Sequence, residues 1–293
     1  MPSNKVNYLL WPANFKLDGG AMFGIIPKPL WNRVHPSDEQ NRIELALRLW
    51  MIESGKRLVV IDTGIGDYHD QKFNTNFDVK GPAGPLAEAL SKIGKTTNDV
   101  TDLVISHLHF DHVGGIGVME EGEMVPVFKN ARLHLHKDHY HYAYHATDRD
   151  SGSFHIKNFG PVIEYYKERN LVTWHQGAQG ELIPELGLNF LTSDGHTPHL
   201  MHPYDEKLIY MADLIPTANH IHVPWVMGYD ISPGVTTEDK KRFLDFIIAH
   251  DLTAIFEHDP NQWGSKISLD KRGRYSATDI HPAKKELLTK IEI

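Results

Sequence analysis

The chain contains no cysteine among its 293 residues. Disulfide bonds, thiolate nucleophiles and thiolate metal ligands are therefore excluded together, and a bound metal would have to be held by nitrogen and oxygen atoms. No stretch approaches the roughly 18 uninterrupted apolar residues that a membrane span requires. Residues 1–15 lack the apolar core and the cleavage site of a secretory signal. These absences predict a cytoplasmic protein without a membrane span.

Basic residues are in the minority, with 30 lysines and arginines against 38 acidic residues and a formal net charge of -8. Such a surface repels phosphate backbones, so nucleic acid is not an expected partner. Histidine, in contrast, is abundant at 20 residues. Because histidine is the commonest metal ligand and titrates near neutral pH, these residues are the first candidates for chemistry.

Hydrophobic patterning predicts strands and helices in both halves of the chain. The predicted strands cover residues 43–52, 57–62, 100–106, 132–136, 188–192, 207–211 and 253–256. Helices are predicted at 85–93, 237–249 and 282–291, and in pieces over 137–170 with breaks at 151–153 and at Gly160-Pro161. Early strands that follow one another without intervening helices favour two sheets packed face to face with helices outside. We expect residues 1–293 to form one such α+β domain.

The segment 106–115 reads Ser-His-Leu-His-Phe-Asp-His-Val-Gly-Gly and follows a predicted buried strand. In an extended chain the first two histidines point the same way, and a tight turn after Phe110 would present the next two side chains from another direction. A lone His-x-His is usually structural, but this denser pattern indicates a metal site that can serve two adjacent ions. The four candidate ligands are His107, His109, Asp111 and His112.

Three more candidate ligands stand just beyond the ends of later predicted strands, where a rigid sheet holds functional groups well. They are His196, Asp213 and His258. Together the seven form a nitrogen and oxygen donor set that suits zinc, and also iron, manganese or cobalt.

These motifs resemble those of the metallo-β-lactamase superfamily. His-x-His-x-Asp-His at 107–112 is similar to the hallmark of that family, 60–64 (Val-Ile-Asp-Thr-Gly) to its strand motif, and 194–198 (Asp-Gly-His-Thr-Pro) to the segment carrying its third histidine. The resemblance runs in order over about residues 43–258. It implies a four-layer αβ/βα sandwich with two mixed sheets face to face, helices outside and the metals at one edge.

The resemblance also implies a role for each residue. Asp213 would bridge two divalent ions, expected to be zinc, and Asp62 would steady the ligand loop without binding metal. The ligands of the two ions would be His107, His109 and His196 for one, and Asp111, His112 and His258 for the other.

Within the superfamily the chain is most similar to the N-acyl-homoserine lactonase and YtnP-like branch. Residues 17–31 resemble its apolar N-terminal loop, and residues 224–233 resemble its substrate loop. The implied partner is a small substrate with an apolar chain, and a homodimer is left open. An apolar wall for that chain, with ordinary loop packing as the alternative, would be formed by Phe23, Trp225 and Met227, with Met22 and Ile25 beside them.

The implied reaction is hydrolysis of a lactone or ester, most of all an N-acyl-homoserine lactone, as in quorum quenching. Two ions about 3.5–4 Å apart would share a hydroxide that attacks the carbonyl carbon. Asp111 would carry a proton to the leaving alkoxide. Tyr229 either donates a hydrogen bond to the oxyanion or is simply packed in its loop.

Other functions remain open on the same residues. A phosphotriesterase-like hydrolase would use the same ligands, and an iron-dependent redox member of the superfamily would hold iron. A binding protein with vestigial metal sites is disfavoured because all seven ligand positions are filled. The absence of cysteine argues against the commonest zinc β-lactamases, which use one at the second metal.

Several histidines have no part in this scheme. A dense group, predicted to form a solvated strand-and-helix face rather than an accessory metal site, comprises His134, His136, His139, His141 and His145. Residues predicted near the entrance or the pocket are His199, His202, His220 and His222.

Overall fold

The computed structural model describes residues 5–292. Its strands are β1 (Val6–Asp18), β2 (Arg42–Ser54), β3 (Arg57–Ile61), β4 (Asp102–Val104), β5 (Gly117–Glu120), β6 (Glu123–Pro126), β7 (Arg132–His136), β8 (Val172–His175), β9 (Gln179–Ile183), β10 (Leu188–Ser193), β11 (Leu200–Tyr204), β12 (Leu208–Tyr210), β13 (Thr253–Ile255), β14 (Gln262–Leu269), β15 (Tyr275–Pro282) and β16 (Leu288–Ile291). Its α-helices are α1 (Gly19–Phe23), α2 (Lys28–Trp31), α3 (Gln71–Phe77), α4 (Pro85–Ser91), α5 (Phe110–Val113), α6 (Lys137–Ala143), α7 (Ile156–Glu168) and α8 (Pro233–Ala249).

The strands form two seven-stranded mixed sheets and a small β5–β6 hairpin. The first sheet has the order β16-β1-β2-β3-β4-β7-β8, and the second has the order β15-β14-β13-β12-β11-β10-β9. Strands β3, β4, β7 and β8 are parallel to one another, as are β12 and β13. Since β10 and β12 each pair antiparallel to β11, the carboxyl ends of β10, β12 and β13 meet at one edge.

The alternation of side chains along each strand separates the layers. On β2, Trp50 packs between the two sheets, whereas Met51 packs on the outer face against α4 and α7. On β10, Phe190 faces the first sheet and Leu191 faces α8. The α+β fold is therefore the αβ/βα sandwich that the sequence predicted, with helices on both outer faces. None of the helices within residues 5–292 has both the length and the apolarity needed to cross a membrane.

Two predicted elements are wrong. Residues predicted as a C-terminal helix instead include β16, which pairs antiparallel with β1 and buries Thr289 and Ile291. The unpaired edge of β1 offers more hydrogen bonds than an isolated short helix would retain. The break predicted at Gly160-Pro161 is also absent, because α7 continues through Pro161. Burial of Phe159, Val162, Ile163 and Tyr166 on one face of α7 outweighs the hydrogen bond that proline cannot donate.

Candidate metal centre

The loop after β4 carries the first four candidate ligands. Beyond Phe110 the chain forms the short helix α5, with His109 as its N-terminal cap, in place of the predicted tight turn. This helical turn directs Asp111 and His112 away from the extended pair that precedes it. The backbone of the loop is held against β3 because the Thr63 N–H and hydroxyl both donate to the carbonyl oxygen of His112, at 2.8 and 2.9 Å.

Three imidazoles and a carboxylate converge in the first group. Nδ1 of His109 lies 3.0 Å from Nε2 of His107 and 3.1 Å from Nε2 of His196. Oδ2 of Asp213 lies 3.1 Å from Nε2 of His196 and 3.8 Å from Nε2 of His107. One atom from each of the four residues falls within 4.8 Å of the others, and all four side chains are buried.

The second group is formed by Asp111, His112 and His258. Oδ2 of Asp111 lies 3.9 Å from Nε2 of His112 and 3.7 Å from Nε2 of His258. The carboxylate of Asp213 stands between the two groups, with Oδ1 3.0 Å from His258 Nε2 and Oδ2 3.4 Å from His112 Nε2. The structure thus brings together all seven residues predicted as ligands.

The donor atoms of this cluster fit divalent cations better than they fit one another. Nε2 of His112, Nε2 of His258 and Oδ1 of Asp213 are buried, and although Oδ1 lies 3.0 Å from His258 Nε2, none of the three atoms has the geometry of a hydrogen bond. Ring nitrogens that face one another cannot all be satisfied by the protons they carry. Burial of unpaired polar atoms is unfavourable, and bound cations would remove that cost. Imidazole and carboxylate donors suit zinc, and also iron, manganese or cobalt.

Charge within the metal-free cluster is compensated by protons. Burial lowers the pKa of His196, but Asp213 and Asp230 outweigh this effect and raise it to about 9. The pKa of His258 is likewise raised to about 9, mainly by Asp213 against the effect of burial. Burial and neighbouring imidazoles lower the pKa of His107 and His109 well below its ordinary value. Burial also lowers the pKa of His112, but Glu257, Asp213 and Asp111 outweigh this effect and raise it well above its ordinary value. A cation entering the cluster would replace the protons on these histidines.

Asp62, predicted to steady the ligand loop, makes the contacts that this role requires. Its carboxylate accepts hydrogen bonds from the backbone N–H of Ser106 at 2.7 Å and from its hydroxyl at 2.6 Å. It also lies 3.1 Å from Nδ1 of His112. Asp62 adopts a left-handed backbone conformation (φ 59°) immediately after β3, which aims its side chain at the loop.

Other supporting groups were not identified from the sequence. Asp230 accepts from Nδ1 of His196 at 3.0 Å, and the carbonyl oxygen of Ala46 accepts from Nδ1 of His258 at 2.8 Å. The buried carboxylate of Glu257 lies 3.0 Å from Nδ1 of His112. Glu257 is adjacent to a candidate ligand in the sequence and could have been noticed, whereas Asp230 and Ala46 are remote from theirs.

The predicted apolar wall is only partly present. Phe23 is fully buried, stacked between Trp31 and His220 with ring centroids 5.6 and 4.8 Å away, and Met227 is also buried. These two side chains are packed inside their loops, as the alternative interpretation held, so their prediction as wall residues is corrected. The remaining accessible candidates are Trp225, which is half-buried, and Ile25, which is 85% exposed.

Tyr229 is partly exposed in the loop that precedes α8. Burial of its inner side, together with the nearby carboxylates of Asp18 and Asp111, raises its pKa to about 12. The hydroxyl therefore keeps its proton at neutral pH and remains a hydrogen-bond donor.

The dense histidine group does not form a solvated face. His134, His136 and His139 are buried, and only His141 and His145 are exposed. His139 accepts a hydrogen bond from the N–H of Leu108 at 2.8 Å, and its Nδ1 donates to the carbonyl of Pro198 at 2.7 Å. The prediction failed because β7 and α6 are covered by residues that lie 30 to 60 positions away along the chain, as the 31- and 59-residue separations of the His139 contacts illustrate.

Two further predictions about histidines are also corrected. His202 is fully buried against Ser193 and the carbonyl of Tyr210, so it does not line an entrance. His220 is buried against Phe23 and the carbonyl of Met22, so it supports the N-terminal loop from behind.

A cavity of about 950 Å³ lies behind the ligand loop and none of the seven candidate ligands lines it. It is bounded by Thr63 and Gly115 on the loop side and by the segment 78–87 on the other. Its position makes it separate from the space in front of the metal cluster.

Comparison with known proteins matches most of the chain to one family. Residues 49–270 match the family model described as the metallo-beta-lactamase superfamily. The N-acyl homoserine lactonase AttM of Agrobacterium fabrum is 25% identical over 188 residues, which are 61% of this chain and 65% of that protein. The chain thus spans slightly less than two thirds of AttM. The lactonase AiiB of the same organism is 24% identical over 261 residues, covering 79% of this chain and 86% of AiiB.

Solved structures share the fold. A probable metal-dependent hydrolase from Staphylococcus aureus has 26% identity and a TM-score of 0.81, over 95% of this chain and 99% of that one. AidC, described as a dizinc quorum-quenching lactonase, has 20% identity and a TM-score of 0.71, over 95% of each chain.

Proposed function

Because this chain belongs to the metallo-beta-lactamase superfamily, we propose that it is a dinuclear metal hydrolase that opens a lactone or ester. The observation that carries the proposal is the placement of Asp213 between two groups of buried ring nitrogens, several of them without any hydrogen-bond partner. A single ion would leave one of these groups unsatisfied. The complete set of seven donors therefore favours two ions, with zinc as the metal that suits the donors best.

Some residues of the cluster would bind the metal ions, and others orient the side chains that bind them. One ion would be held by His107, His109 and His196, the other by Asp111, His112 and His258, and Asp213 would contact both. Bound ions supply Lewis-acid polarisation and make a water molecule acidic enough to act as a nucleophile near neutral pH. Asp62 and Asp230 orient imidazoles by accepting their outer N–H protons.

The proton for the leaving group is assigned to Asp111. When the bond between the carbonyl carbon and the ring oxygen breaks, the leaving alkoxide must gain a proton. Asp111 is buried, with Oδ2 3.9 Å from Nε2 of His112 in the second group, so its carboxyl can receive a proton as water is consumed and release it to the alkoxide. Tyr229, which keeps its proton, donates a hydrogen bond to the oxyanion that develops on the carbonyl oxygen.

The substrate proposed is an N-acyl-homoserine lactone, as in quorum quenching. Support comes from the lactonases to which the chain is similar and from the half-buried ring of Trp225, which lies on the same loop as Tyr229. An apolar acyl chain would lie along Trp225 and the exposed Ile25, while Phe23 and Met227 hold the two loops in place from within. Such a wall is how most apolar pockets are built.

A hydrolysis panel tests the proposal. The full chain, with its metal content measured on the same sample, is assayed against acyl-homoserine lactones, simple esters, thioesters and aryl phosphotriesters. We expect lactone turnover that requires about two bound ions and is lost in His109→Ala and Asp213→Ala. Turnover of the phosphotriester with none of any lactone contradicts the lactonase assignment, and full activity of either alanine variant contradicts the metal mechanism itself.

A further inference from the structure

A second cluster of donor atoms lies where β7 meets α6, outside the candidate metal centre. Its central member is His136, which is only 2% exposed. Nε2 of His136 lies 3.1 Å from the carbonyl oxygen of Gly177, so this nitrogen carries the proton and donates it. Nδ1 is then unprotonated and carries a free lone pair, and this atom is buried without any hydrogen-bond partner. An unpaired buried acceptor of this kind indicates a missing partner.

Two other side chains place a donor atom close to His136. Asp138 is exposed in the first turn of α6, and His199 lies in the segment between β10 and β11. The ring of His199 stacks on that of His136 with centroids 4.9 Å apart and an angle of 9° between the planes. One ligand atom from each of His136, Asp138 and His199 falls within 4.8 Å of the others.

His199 is held over His136 by its own backbone. It has a left-handed conformation (φ 60°), which is uncommon for a residue other than glycine. Its N–H donates to Oδ1 of Asp194 at 2.8 Å, which keeps the turn in place. The buried imidazole is therefore fixed, while the partly exposed His199 and the exposed Asp138 have freedom to adjust their side chains around an ion.

We propose that His136, Asp138 and His199 form an accessory site for a divalent transition-metal ion such as Zn²⁺. Two imidazoles and one carboxylate are a common zinc donor set that leaves a coordination position for water. None of the three residues is among the seven candidate ligands of the main centre, so the site is independent of the proposed hydrolase activity.

An ion at this site would reinforce a contact that the fold already makes. On α6, His139 bonds the N–H of Leu108, which lies within the ligand loop, and the carbonyl of Pro198. The accessory ion would join α6 to the adjacent His199, three residues beyond His196. It would thus clamp two segments that carry candidate ligands of the main centre, and its binding should raise the melting temperature.

The test is a zinc titration of the full chain after its main centre has been loaded and free metal removed. Zinc alone is added, and bound metal is counted by equilibrium dialysis with elemental analysis. We expect the wild-type chain to bind one ion more than His199→Gln. Asp138→Asn should weaken this ion at least about tenfold, the smaller loss known even for outer partners of metal ligands. Both positions are at the surface, so these variants should fold normally.

His141→Gln is the matched control, because His141 is an exposed histidine on the same helix outside the cluster. It should bind the additional ion as the wild-type chain does. Nitrogen NMR of the imidazoles should show zinc moving the Nδ1 signal of His136 and leaving its Nε2 proton in place. Equal zinc stoichiometry and affinity in wild type and His199→Gln overturns the proposal. The proposal is also overturned if His141→Gln loses the additional ion, since surface histidines outside the cluster would then be the binding groups.

Discussion

Individual imidazoles in the candidate metal centre are held by specific acceptors on their outer nitrogens. His196 has Asp230, His112 has Asp62, and His258 has a backbone carbonyl. These contacts select the tautomer that leaves the inner nitrogen free for a metal. Metal binding should therefore be sensitive to substitutions of the residues that contact the ligands, as well as of the ligands themselves.

The first prediction concerns Asp230. We expect Asp230→Asn to weaken zinc binding by roughly 10–100-fold, because the neutral amide is a poorer acceptor for the Nδ1 proton of His196. Competition with a chromogenic chelator measures the affinity. Asp279→Asn, an exposed aspartate on β15, is the control and should bind zinc normally. Unchanged affinity in Asp230→Asn would show that the outer contact does not orient His196.

The second prediction is a pH dependence of metal binding. His196 and His258 have pKa values of about 9 in the metal-free protein, so below that pH each holds a proton that a metal must displace. Zinc affinity should therefore rise as pH increases from about 6 to about 9. Proton release on zinc addition in weak buffer measures the effect directly. An affinity that is constant over this range would contradict the protonated state of the free cluster.

At the scale of secondary structure, α8 holds the loop that carries Trp225 and Tyr229. The buried ammonium group of Lys240 donates to the carbonyls of His222, Val223 and Trp225 at 2.7, 3.2 and 2.9 Å. A single side chain thus organises the segment on which the proposed substrate wall stands.

The third prediction follows from this contact. Lys240→Met removes three donors and should lower the free energy of unfolding by about 1–3 kcal/mol, and it should raise KM for the substrate more than it lowers kcat. Thermal unfolding and steady-state kinetics provide the two measurements. Lys241→Met, an exposed neighbour paired with Glu238, serves as the control. A KM that stays at the wild-type value would show that Lys240 does not contribute to substrate binding.

The fourth prediction concerns the close approach of the ligand loop to β3. A Cβ atom on Gly115 would lie 2.2 Å from the carbonyl oxygen of Thr63. Gly115→Ala should therefore destabilise the fold by about 1–3 kcal/mol through overpacking, seen as a lower urea midpoint. Gly152→Ala, where no atom lies within 4 Å of the added carbon, should leave the midpoint unchanged. Equal midpoints for both variants would show that the loop can shift away from Thr63 at no cost in stability.

On the scale of the whole molecule, the candidate metal centre lies where the two sheets meet. The backbone N–H groups of Ala46 and Arg48 on β2 donate to the carbonyls of His258 and Glu257, which follow β13 in the other sheet. Candidate ligands follow strands β4, β10, β12 and β13, so both sheets contribute. Bound ions would therefore tie the two halves of the sandwich together.

The fifth prediction is that metal removal destabilises the entire fold. Chelation should lower the melting temperature, and zinc at about 100 times its Kd should restore roughly 2.7 kcal/mol for each site. Differential scanning calorimetry with and without chelator measures the change. Asp213→Ala should show a much smaller response to zinc than the wild-type chain. A melting temperature that is independent of metal would show that the ions do not stabilise the packing of the two sheets.

Local patterns in the sequence determined much of this protein. The spacing of His107 to His112 brings four donors into one short loop, and the alternation along β2 and β10 separates inner from outer faces. These features depend on neighbours within a few positions, so the layered fold and the grouping of the first four candidate ligands could be predicted. The addition of His196, Asp213 and His258 depended more on the resemblance to the superfamily. The ligand roles themselves stay a prediction for the metal experiments.

Only the tertiary structure decided the rest. The pairing of β16 with β1, the burial of Phe23, and the contact of Asp230 with His196 join positions that are far apart in the chain. The same is true of the meeting of His136 with His199. Such contacts depend on how complete sheets and loops pack, which no local spacing encodes. The sequence thus determined which donors could gather, and the packing of the two sheets determined what supports them.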